Sequence, residues 1–358
     1  MKALAALGLS AAFLLAAAAP AGHRLAAHVD DGGRGSVTAA EWALYRARFV
    51  TADGRVVDDG NGGVSHSEGQ GYGMLLALAA GDEATFRALW NFAATRLRRP
   101  DGLFAWRYDP AADPPVGDPN TASDGDLLIA YALLRAASAF AEPGYAREAL
   151  AIAGRLAETV LLRHDGGVVL LPGVSGFGAA DRPDGPVVNP SYLVLEAIAA
   201  FGLLLPDSDW RALGASAPRF LSRAVAGPDR LPPEWLSVAG PVPVPAERFP
   251  AVFGYNALRL PLYLMRAGLH DHPTAAAVAA AWLRRSGGRP AVLSLADGTV
   301  TEPLPDPGYR IILAALACAR AGTPVPADLA RFEPTLYYPS TLHLLTLSHL
   351  RLSHKECL

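Results

Sequence analysis

The chain has 358 residues, 51% of them hydrophobic, which is enough to bury a sizeable core in one large domain or two smaller ones. Its formal net charge of −3 and isoelectric point near 6.3 provide no basic surface, so nucleic acid is excluded as a partner. The histidines and the two cysteines lack the spacing of a zinc site, and we expect neither a metal nor another cofactor.

Residues 1–21 have the pattern of an export signal. Lys2 supplies a positive start, residues 3–19 form an apolar run, and Ala19-Pro20-Ala21 offers small residues for cleavage. The alternative is an uncleaved membrane anchor, but the run is slightly short for one and has no flanking basic cluster. We therefore predict a mature chain of residues 22–358, in the periplasm or secreted, without stable membrane insertion.

Hydrophobic periodicity predicts helices along the whole mature chain, separated by turns rich in glycine and proline. The predicted helices are 39–50, 72–80, 83–97, 126–140, 145–162, 192–205, 210–224, 255–267, 275–285, 309–319 and 342–352. Short β-like pieces occur at 168–171 and 291–300, and the proline-rich stretch 231–250 is interpreted as a long loop over a cleft. About a dozen helices without a dividing linker predict one all-α domain, an array of helical hairpins with short β hairpins in its loops.

Glu68 lies among closely spaced glycines in the stretch from Ser67 to Gly73, directly before an apolar helix. Glycines let the backbone turn sharply and approach a ligand closely. The stretch indicates a carboxylate at the start of a helix, facing a cleft. Capping of that helix by Ser67 and Glu68 explains the same pattern.

A second pair of acids, Asp124 and Asp126, flanks Gly125 at the head of another apolar helix. Together with Glu68 they supply the paired carboxyls that cleavage of a glycosidic bond needs. One carboxyl protonates the leaving oxygen and another assists the attacking water. Asp-Gly pairs also start helices for purely local reasons, so this second motif alone does not distinguish catalytic carboxyls from helix caps.

With three further motifs, these stretches resemble glycoside hydrolase family 8, and within it the periplasmic endo-β-1,4-glucanases of bacterial cellulose synthesis. The further motifs are Asn189-Pro190-Ser191-Tyr192-Leu193, Phe253-Gly254-Tyr255-Asn256-Ala257-Leu258-Arg259 and Tyr337-Tyr338 before an apolar helix. The resemblance covers most of the mature chain. It implies an (α/α)6 barrel of six inner and six outer helices, inverting cleavage of cellulose or another β-1,4-glucan, and the cellulose synthase apparatus as a candidate partner.

The resemblance also implies roles for individual residues. Glu68 matches the general acid, which we expect partial burial or a neighbouring carboxylate to keep protonated. Asp124 matches the acid that binds and distorts the sugar, Tyr192 the tyrosine that orders the attacking water, and Arg259 an arginine beside the base. Inversion requires roughly 6.5–9.5 Å between the two working carboxyls, so that a water fits between them and the sugar.

The chain departs from the family pattern at the general base. Most members carry an aspartate where this chain has Asn256, whose neutral amide can hold a water but cannot by itself accept its proton. Three explanations remain open. Another acid serves as base, with Asp124 the first candidate and Asp181 or Asp184 the next ones; the protein is a weak or inactive glucan-binding accessory; or Asn256 is an introduced inactivating substitution.

Aromatic side chains are candidates for binding the glucan. Trp106 and Tyr108 stand outside any helical pattern, and a flat ring with a polar edge suits stacking on a sugar face. Trp235, Tyr255 and Tyr338 are further candidates. The remaining acids are interpreted as spread over surface turns, which favours a neutral β-glucan over chitosan as substrate.

The two cysteines, Cys318 and Cys357, are too few for a disulfide framework. An exported chain could pair them. Cys318 lies inside the apolar run 311–319, however, and we expect it to be a buried thiol.

Overall fold

The computed structural model describes residues 33–358, so the predicted export signal at residues 1–21 lies outside the described residues. The helices, in chain order, are α1 (Ala39–Phe49), α2 (Ser67–Ala80), α3 (Glu83–Phe92), α4 (Ser123–Ala139), α5 (Pro143–Thr159), α6 (Leu195–Leu204), α7 (Trp210–Arg223), α8 (Leu260–Arg266), α9 (Pro273–Ser286), α10 (Pro307–Ala321), α11 (Ala327–Ala330) and α12 (Tyr337–Ser353). None of these helices combines the length and the apolar character needed to cross a bilayer.

The even-numbered helices form an inner ring. Helices α2, α4, α6, α8, α10 and α12 contact one another in that order, and α12 contacts α2 again. Each odd-numbered helix packs on the outside against an even-numbered neighbour in the chain. Two concentric rings of six helices are the (α/α)6 arrangement, and the predicted fold class is confirmed.

The burial of each helix follows from its sequence pattern. On the outer helix α7 the buried residues are Trp210, Leu213, Ala217 and Leu221, which form a single apolar stripe along one face. On the inner helix α4 the first eight residues are all buried, because that helix has neighbours on every side. The amphipathic helices therefore lie outside and the apolar ones inside.

Polar contacts join the outer helix α1 to the last inner helix, α12. Tyr45 on α1 hydrogen-bonds to Thr341 on α12 at 2.8 Å. Arg351 near the end of α12 donates to both carboxylate oxygens of Glu41 at 2.7 Å each. These bonds hold together segments that are about 300 residues apart in sequence.

Four small antiparallel sheets lie in the loops between helices. They pair β1 (Ser65–His66) with β2 (Arg107–Tyr108), β3 (Leu161–His164) with β4 (Gly167–Leu170), β6 (Leu236–Ser237) with both β5 (Val187–Val188) and β7 (Val244–Pro245), and β9 (Ala291–Ser294) with both β8 (Val252–Phe253) and β10 (Val300–Pro303). The predicted β pieces at 168–171 and 291–300 correspond to β4 and to the β9–β10 hairpin.

Several predicted helices have different bounds in the structure, and in three of them the difference comes from a turn or hairpin. The helix predicted over 145–162 ends at Thr159, because the chain turns into the hairpin β3–β4. The helices predicted to begin at Tyr192 and Tyr255 begin instead at Leu195 and Leu260, each after a short 3-10 turn. These turns place the residues that precede α6 and α8 outside the regular helix.

The expectation of a free Cys318 thiol is wrong. Cys318 on α10 forms a disulfide with Cys357, which follows α12, across a sequence separation of 39 residues. The backbone N–H of Val325 also donates to the Cys357 carbonyl at 2.9 Å. Apolar burial of Cys318 was predicted correctly, but its buried neighbour is the second cysteine.

Removing this disulfide with the double substitution C318A/C357A is expected to lower the free energy of unfolding by up to about 4 kcal/mol. The unfolded chain then gains the conformations that a closed loop of this length forbids. Chemical denaturation without reductant measures the difference, and the wild-type protein unfolded in reductant is the matched comparison. Equal denaturation midpoints for variant and wild type would contradict the expectation.

Candidate active site

An open cleft of about 730 Å³ lies at the N-terminal ends of the inner helices. Glu68 and Asp124 come from the first turns of α2 and α4, whereas Tyr192 and Asn256 come from the turns before α6 and α8. Most of the predicted site residues line this cleft: Glu68, Trp106, Asp124, Tyr192, Trp235, Tyr255, Asn256, Arg259 and Tyr338. Tyr108 is not part of its lining.

The guanidinium of Arg259 joins the two predicted acids. Its Nη1 donates to Oε1 of Glu68, and its Nη2 donates to Oδ2 of Asp124 at 2.6 Å. The Arg259 side chain is only 1% exposed, so its charge depends on these carboxylates for compensation. Arg259, which the family resemblance implied to lie beside the base, lies between Glu68 and Asp124.

Glu68 points into the cleft and does not cap its helix. Helix α2 begins after His66 without a side-chain cap, and Ser67 Oγ has no hydrogen-bond partner among the described residues. The Glu68 side chain is 24% exposed. The group in direct contact with Glu68 is the guanidinium of Arg259. The carboxylate expected next to Glu68, that of Asp124, lies on the other side of this guanidinium.

Asp124 is buried, and both of its oxygens are engaged. Oδ1 accepts from the backbone N–H of Gly125 at 2.8 Å, and Oδ2 accepts from Arg259. Burial, together with the nearby Glu68 charge, raises the pKa of Asp124 to about 7, although Arg259 acts in the opposite direction. Asp126 instead holds the loop before α4, because its carboxylate accepts from the Phe104 N–H at 2.8 Å and from Thr121.

The starts of α2 and α4 touch at Gly125. A Cβ atom at this position would lie 2.6 Å from the Glu68 nitrogen and 2.8 Å from the Ser67 carbonyl carbon. Both neighbours are backbone atoms and cannot move aside cheaply. Gly125 therefore fixes the separation between the helix ends that carry Glu68 and Asp124.

The substitution Gly125→Ala is expected to slow the reaction carried out by Glu68 and Asp124 at least about a hundredfold, because it moves the two carboxyls away from their mutual position. It is also expected to destabilise the fold by about 1–3 kcal/mol through overpacking. Gly154→Ala is the matched control, since a Cβ there meets nothing within 4 Å. Wild-type specific activity in a folded Gly125→Ala protein would contradict the expectation.

The aromatic residues differ in how much of each ring faces the cleft. Trp106 stacks on His66, with ring centroids 6.1 Å apart, and its Nε1 donates to Asp118 at 2.9 Å. Trp235 stacks nearly parallel with both Phe177 and Phe249, with ring centroids 5.6 and 4.5 Å away. Part of the Trp235 ring surface is therefore used for packing within the protein, although the residue still lines the cleft.

Three tyrosines complete the comparison with the predicted binding residues. The Tyr108 ring packs edge-on against Phe92, outside the cleft lining. Tyr338 donates from its hydroxyl to the Tyr255 carbonyl at 2.9 Å. The Tyr255 side chain hydrogen-bonds to Glu302 and is 41% exposed, so its ring stands at the cleft edge.

Two of the acids considered as substitute bases, Asp181 and Asp184, form hydrogen bonds and an ion pair within their own part of the chain. Asp181 accepts from the N–H groups of Gly176 and Gly178, and Asp184 pairs with Arg182 and accepts from the Glu247 N–H. Neither lines the cleft. A different carboxylate, that of Glu234, lies against Asn256, and no spacing in the sequence pointed to this contact.

The cleft is more acidic than the sequence suggested. Its lining contains five carboxylates, those of Asp58, Glu68, Asp124, Glu302 and Asp306, and Arg259 is the one arginine among the described lining residues. Glu68 and Asp124 were expected here, but the expectation that the remaining acids would be spread over surface turns is wrong for Asp58, Glu302 and Asp306. Each stands at or near an inner-helix start or in an adjoining loop, and the ring geometry brings those segments together.

One group of side chains elsewhere in residues 33–358 is close enough to share an ion, namely His354, Glu356 and Cys357. The sulfur of Cys357 is already in the disulfide. The group lies beyond the C-terminal end of α12, whereas the cleft lies at the N-terminal ends of the inner helices.

Paired carboxyls beside aromatic rings, at one end of a double ring of helices, are the groups that hydrolysis of a glycosidic bond uses. The sequence matches the model of glycosyl hydrolases family 8 over residues 25–282, and the chain belongs to this family.

Known relatives agree with this assignment. A "Probable endoglucanase" of Novacetimonas hansenii is 44% identical over 229 residues, covering 63% of this chain and 66% of the relative. An "Endoglucanase" of Cellulomonas uda is 39% identical and covers 64% of each chain. These alignments thus span slightly less than two thirds of the curated relatives.

Solved structures match over more of the chain. The endoglucanase Cel10 of Klebsiella pneumoniae has a TM-score of 0.78 at 34% identity, covering 87% of this chain and 99% of that one. The endo-β-1,4-glucanase CMCax of Acetobacter xylinum has a TM-score of 0.77 at 36% identity, covering 90% and 98%.

Proposed function

We propose that the protein is an endo-β-1,4-glucanase, a cellulase that hydrolyses internal bonds of cellulose or a related β-1,4-glucan with inversion. Glu68 protonates the leaving oxygen, Asp124 binds the sugar at the cleavage point, and Tyr192 and Asn256 hold the attacking water. Trp106, Trp235, Tyr255 and Tyr338 contact the glucan chain. The endoglucanase names of the relatives support this substrate class.

The observation that carries the proposal is the pairing of Glu68 and Asp124 through one buried guanidinium. A buried arginine needs both partners, so it holds the two carboxyls at a fixed separation beside the bond to be cleaved. The cleft is open, which allows a polymer to lie across it and be cut at internal bonds.

We also propose a cellular setting. Residues 1–21 are removed on export, and residues 22–358 act as one catalytic domain in the periplasm or outside the cell. There the enzyme trims glucan beside the cellulose synthase apparatus during cellulose synthesis. The Cys318–Cys357 disulfide supports an oxidising compartment.

Assays on a soluble β-1,4-glucan test the activity. An endo-acting enzyme lowers viscosity before many reducing ends appear, and proton NMR of the first products shows the α anomer if the β bond is inverted. Retained binding of cello-oligosaccharides without any new reducing ends would instead support a non-catalytic glucan-binding accessory.

The five carboxylates of the cleft favour a second candidate substrate, a β-1,4-linked glucosamine polymer such as chitosan. Its amines are positively charged and would be attracted to this lining. Comparing kcat/KM on chitosan and on neutral β-glucan of similar length decides between the two, and a strong loss of chitosan cleavage at high salt would indicate attraction by the lining charges.

A further inference from the structure

Arg259 has a third hydrogen-bond partner besides the two predicted acids, the hydroxyl of Tyr72. Its Nη1, which donates to Glu68, also donates to the Tyr72 oxygen at 3.3 Å. The Tyr72 hydroxyl in turn hydrogen-bonds to the hydroxyl of Tyr263, and both tyrosines are buried, with exposed fractions of 1% and 4%. Neither tyrosine lines the cleft. The two hydroxyls and the guanidinium therefore form a buried hydrogen-bonded chain that ends at Glu68.

The chain is assembled from two pairs of residues, each separated by about one helical turn. Tyr72 follows Glu68 by four positions on α2, and Tyr263 on α8 follows Arg259 by four positions. Side chains at this spacing lie on the same face of a helix. Because α2 and α8 stand on opposite sides of the inner ring, the contact between the two hydroxyls joins these faces across the inside of the ring.

The position of the Arg259 guanidinium depends on the Tyr72 hydroxyl. Its Nε has no hydrogen-bond partner among the described residues, so its hydrogen bonds are those of Nη1 and Nη2. The ring of Tyr263 lies beside the guanidinium, with the ring centroid 5.8 Å from Cζ. Loss of the Tyr72 oxygen would leave an N–H of Nη1 without its acceptor in a buried place, which favours a shift of the guanidinium.

The hydroxyl holds the guanidinium without competing for its charge. Burial raises the pKa of Tyr72 well above the ordinary tyrosine value, although the charge of Arg259 acts in the opposite direction. The hydroxyl is therefore neutral, and the positive charge of Arg259 remains available to Glu68 and Asp124. A carboxylate in the same place would add a third negative charge around one buried arginine.

We propose that Tyr72 is a positioning residue for acid catalysis, which holds Arg259 so that Glu68 presents its carboxyl to the leaving oxygen, and that Tyr263 holds Tyr72 in turn. This inference rests on the proposed glucanase function, in which Glu68 is the general acid. Tyr72 lies outside the cleft lining, so it acts through Arg259 and Glu68 and does not touch the sugar. Displacement of a reacting group by about 1 Å can cost on the order of a hundredfold in rate, so a distant hydroxyl can matter.

The substitution Tyr72→Phe tests the proposal, because it removes the hydroxyl and keeps the ring. We expect kcat on soluble β-1,4-glucan to fall by about tenfold to a hundredfold, since the carboxyl of Glu68 loses its fixed position. KM should stay within about twofold of wild type, because the cleft lining is unchanged.

Tyr45→Phe is the matched control for this substitution. It also removes a fully buried hydroxyl with a hydrogen-bond partner, since Tyr45 bonds to Thr341 at 2.8 Å. That bond joins α1 to α12, and neither residue lines the cleft. We expect Tyr45→Phe to keep the wild-type kcat, whatever it does to the melting temperature.

The leaving group separates positioning of the acid from a merely structural role. A dinitrophenyl cello-oligosaccharide needs little protonation of its leaving oxygen, so Tyr72→Phe should slow its hydrolysis much less than that of unactivated glucan. A loss of folded protein would instead lower both rates by the same factor. The ratio of the two rates is therefore the decisive measurement.

Combining substitutions shows whether Tyr72 acts through Glu68. Once the acid is absent its position no longer matters, so the double variant E68Q/Y72F should be within about twofold of E68Q on unactivated glucan. Tyr263→Phe removes the hydroxyl at the far end of the chain. It should change the ratio of the two rates in the same direction as Tyr72→Phe, by a smaller factor, and it decides the question if Tyr72→Phe does not fold.

Three results would overturn the inference while leaving the glucanase function intact. The first is a folded Tyr72→Phe protein with wild-type kcat on unactivated glucan. The second is an equal loss on the activated and unactivated substrates, and the third is a double variant in which the two single losses multiply. The glucanase function itself is decided separately, by whether the wild-type protein releases reducing ends from β-1,4-glucan.

Discussion

Replacing Glu68 with glutamine is expected to lower kcat for hydrolysis of unactivated β-1,4-glucan by about a hundredfold to ten-thousandfold. The amide cannot protonate the leaving oxygen, but its Oε1 can still accept from Arg259, so the fold should remain. Initial rates of reducing-end release, combined with calorimetric binding of a cello-oligosaccharide, separate lost chemistry from lost binding.

A substrate with a good leaving group sharpens this test. A dinitrophenyl cello-oligosaccharide needs little protonation, so its hydrolysis should suffer much less from the substitution than that of cellulose fragments. Glu158→Gln on the outer helix α5 is the control, because that side chain is exposed and remote from the cleft. Equal losses on activated and unactivated substrates would show that Glu68 is not the acid.

Replacing Asp124 with asparagine is expected to lower kcat/KM by at least about a hundredfold and also to weaken oligosaccharide binding. The substitution removes the charge that, together with Glu68, compensates the buried Arg259. It also removes an acceptor for a sugar hydroxyl at the cleavage point. Steady-state kinetics and calorimetry on the purified variant measure both effects.

Asp207→Asn is the control for this substitution, since Asp207 is exposed in the turn before α7. A variant Asp124→Asn that only melts at a lower temperature and keeps its activity per folded molecule would mean that Asp124 has a purely structural role at the start of α4.

Local chemistry made part of the site predictable. Glu68 and Asp124 each sit in a glycine-containing start of an apolar helix, and a ring of hairpins brings such starts to one end. The periodicity of residues 39–352 likewise predicted most helices. It could not predict the 3-10 turns before α6 and α8. In the turn before α6, Oδ1 of Asn189 accepts from the backbone N–H of Ser191 at 3.0 Å.

Contacts made by loops were not predictable from periodicity. Glu234 and Asn256 are 22 residues apart in a stretch with little regular structure, so their contact depends on how the loop returns to the cleft. Pairing of Cys318 and Cys357 depends in the same way on the turn after α12 reaching α10. Arg259 was assigned to the site, but its two partners are set by the meeting of three helix starts.

The segment that matches the family model, residues 25–282, is shorter than the unit that builds the cleft. Helices α10 and α12 begin after residue 282, and they complete the inner ring against α8 and α2. Asp306, Tyr309, Tyr337 and Tyr338 from these two helix starts form part of the cleft wall. A gene fragment trimmed to residues 25–282 would therefore encode Glu68, Asp124 and Arg259 but would lack α10 and α12, two of the six inner helices.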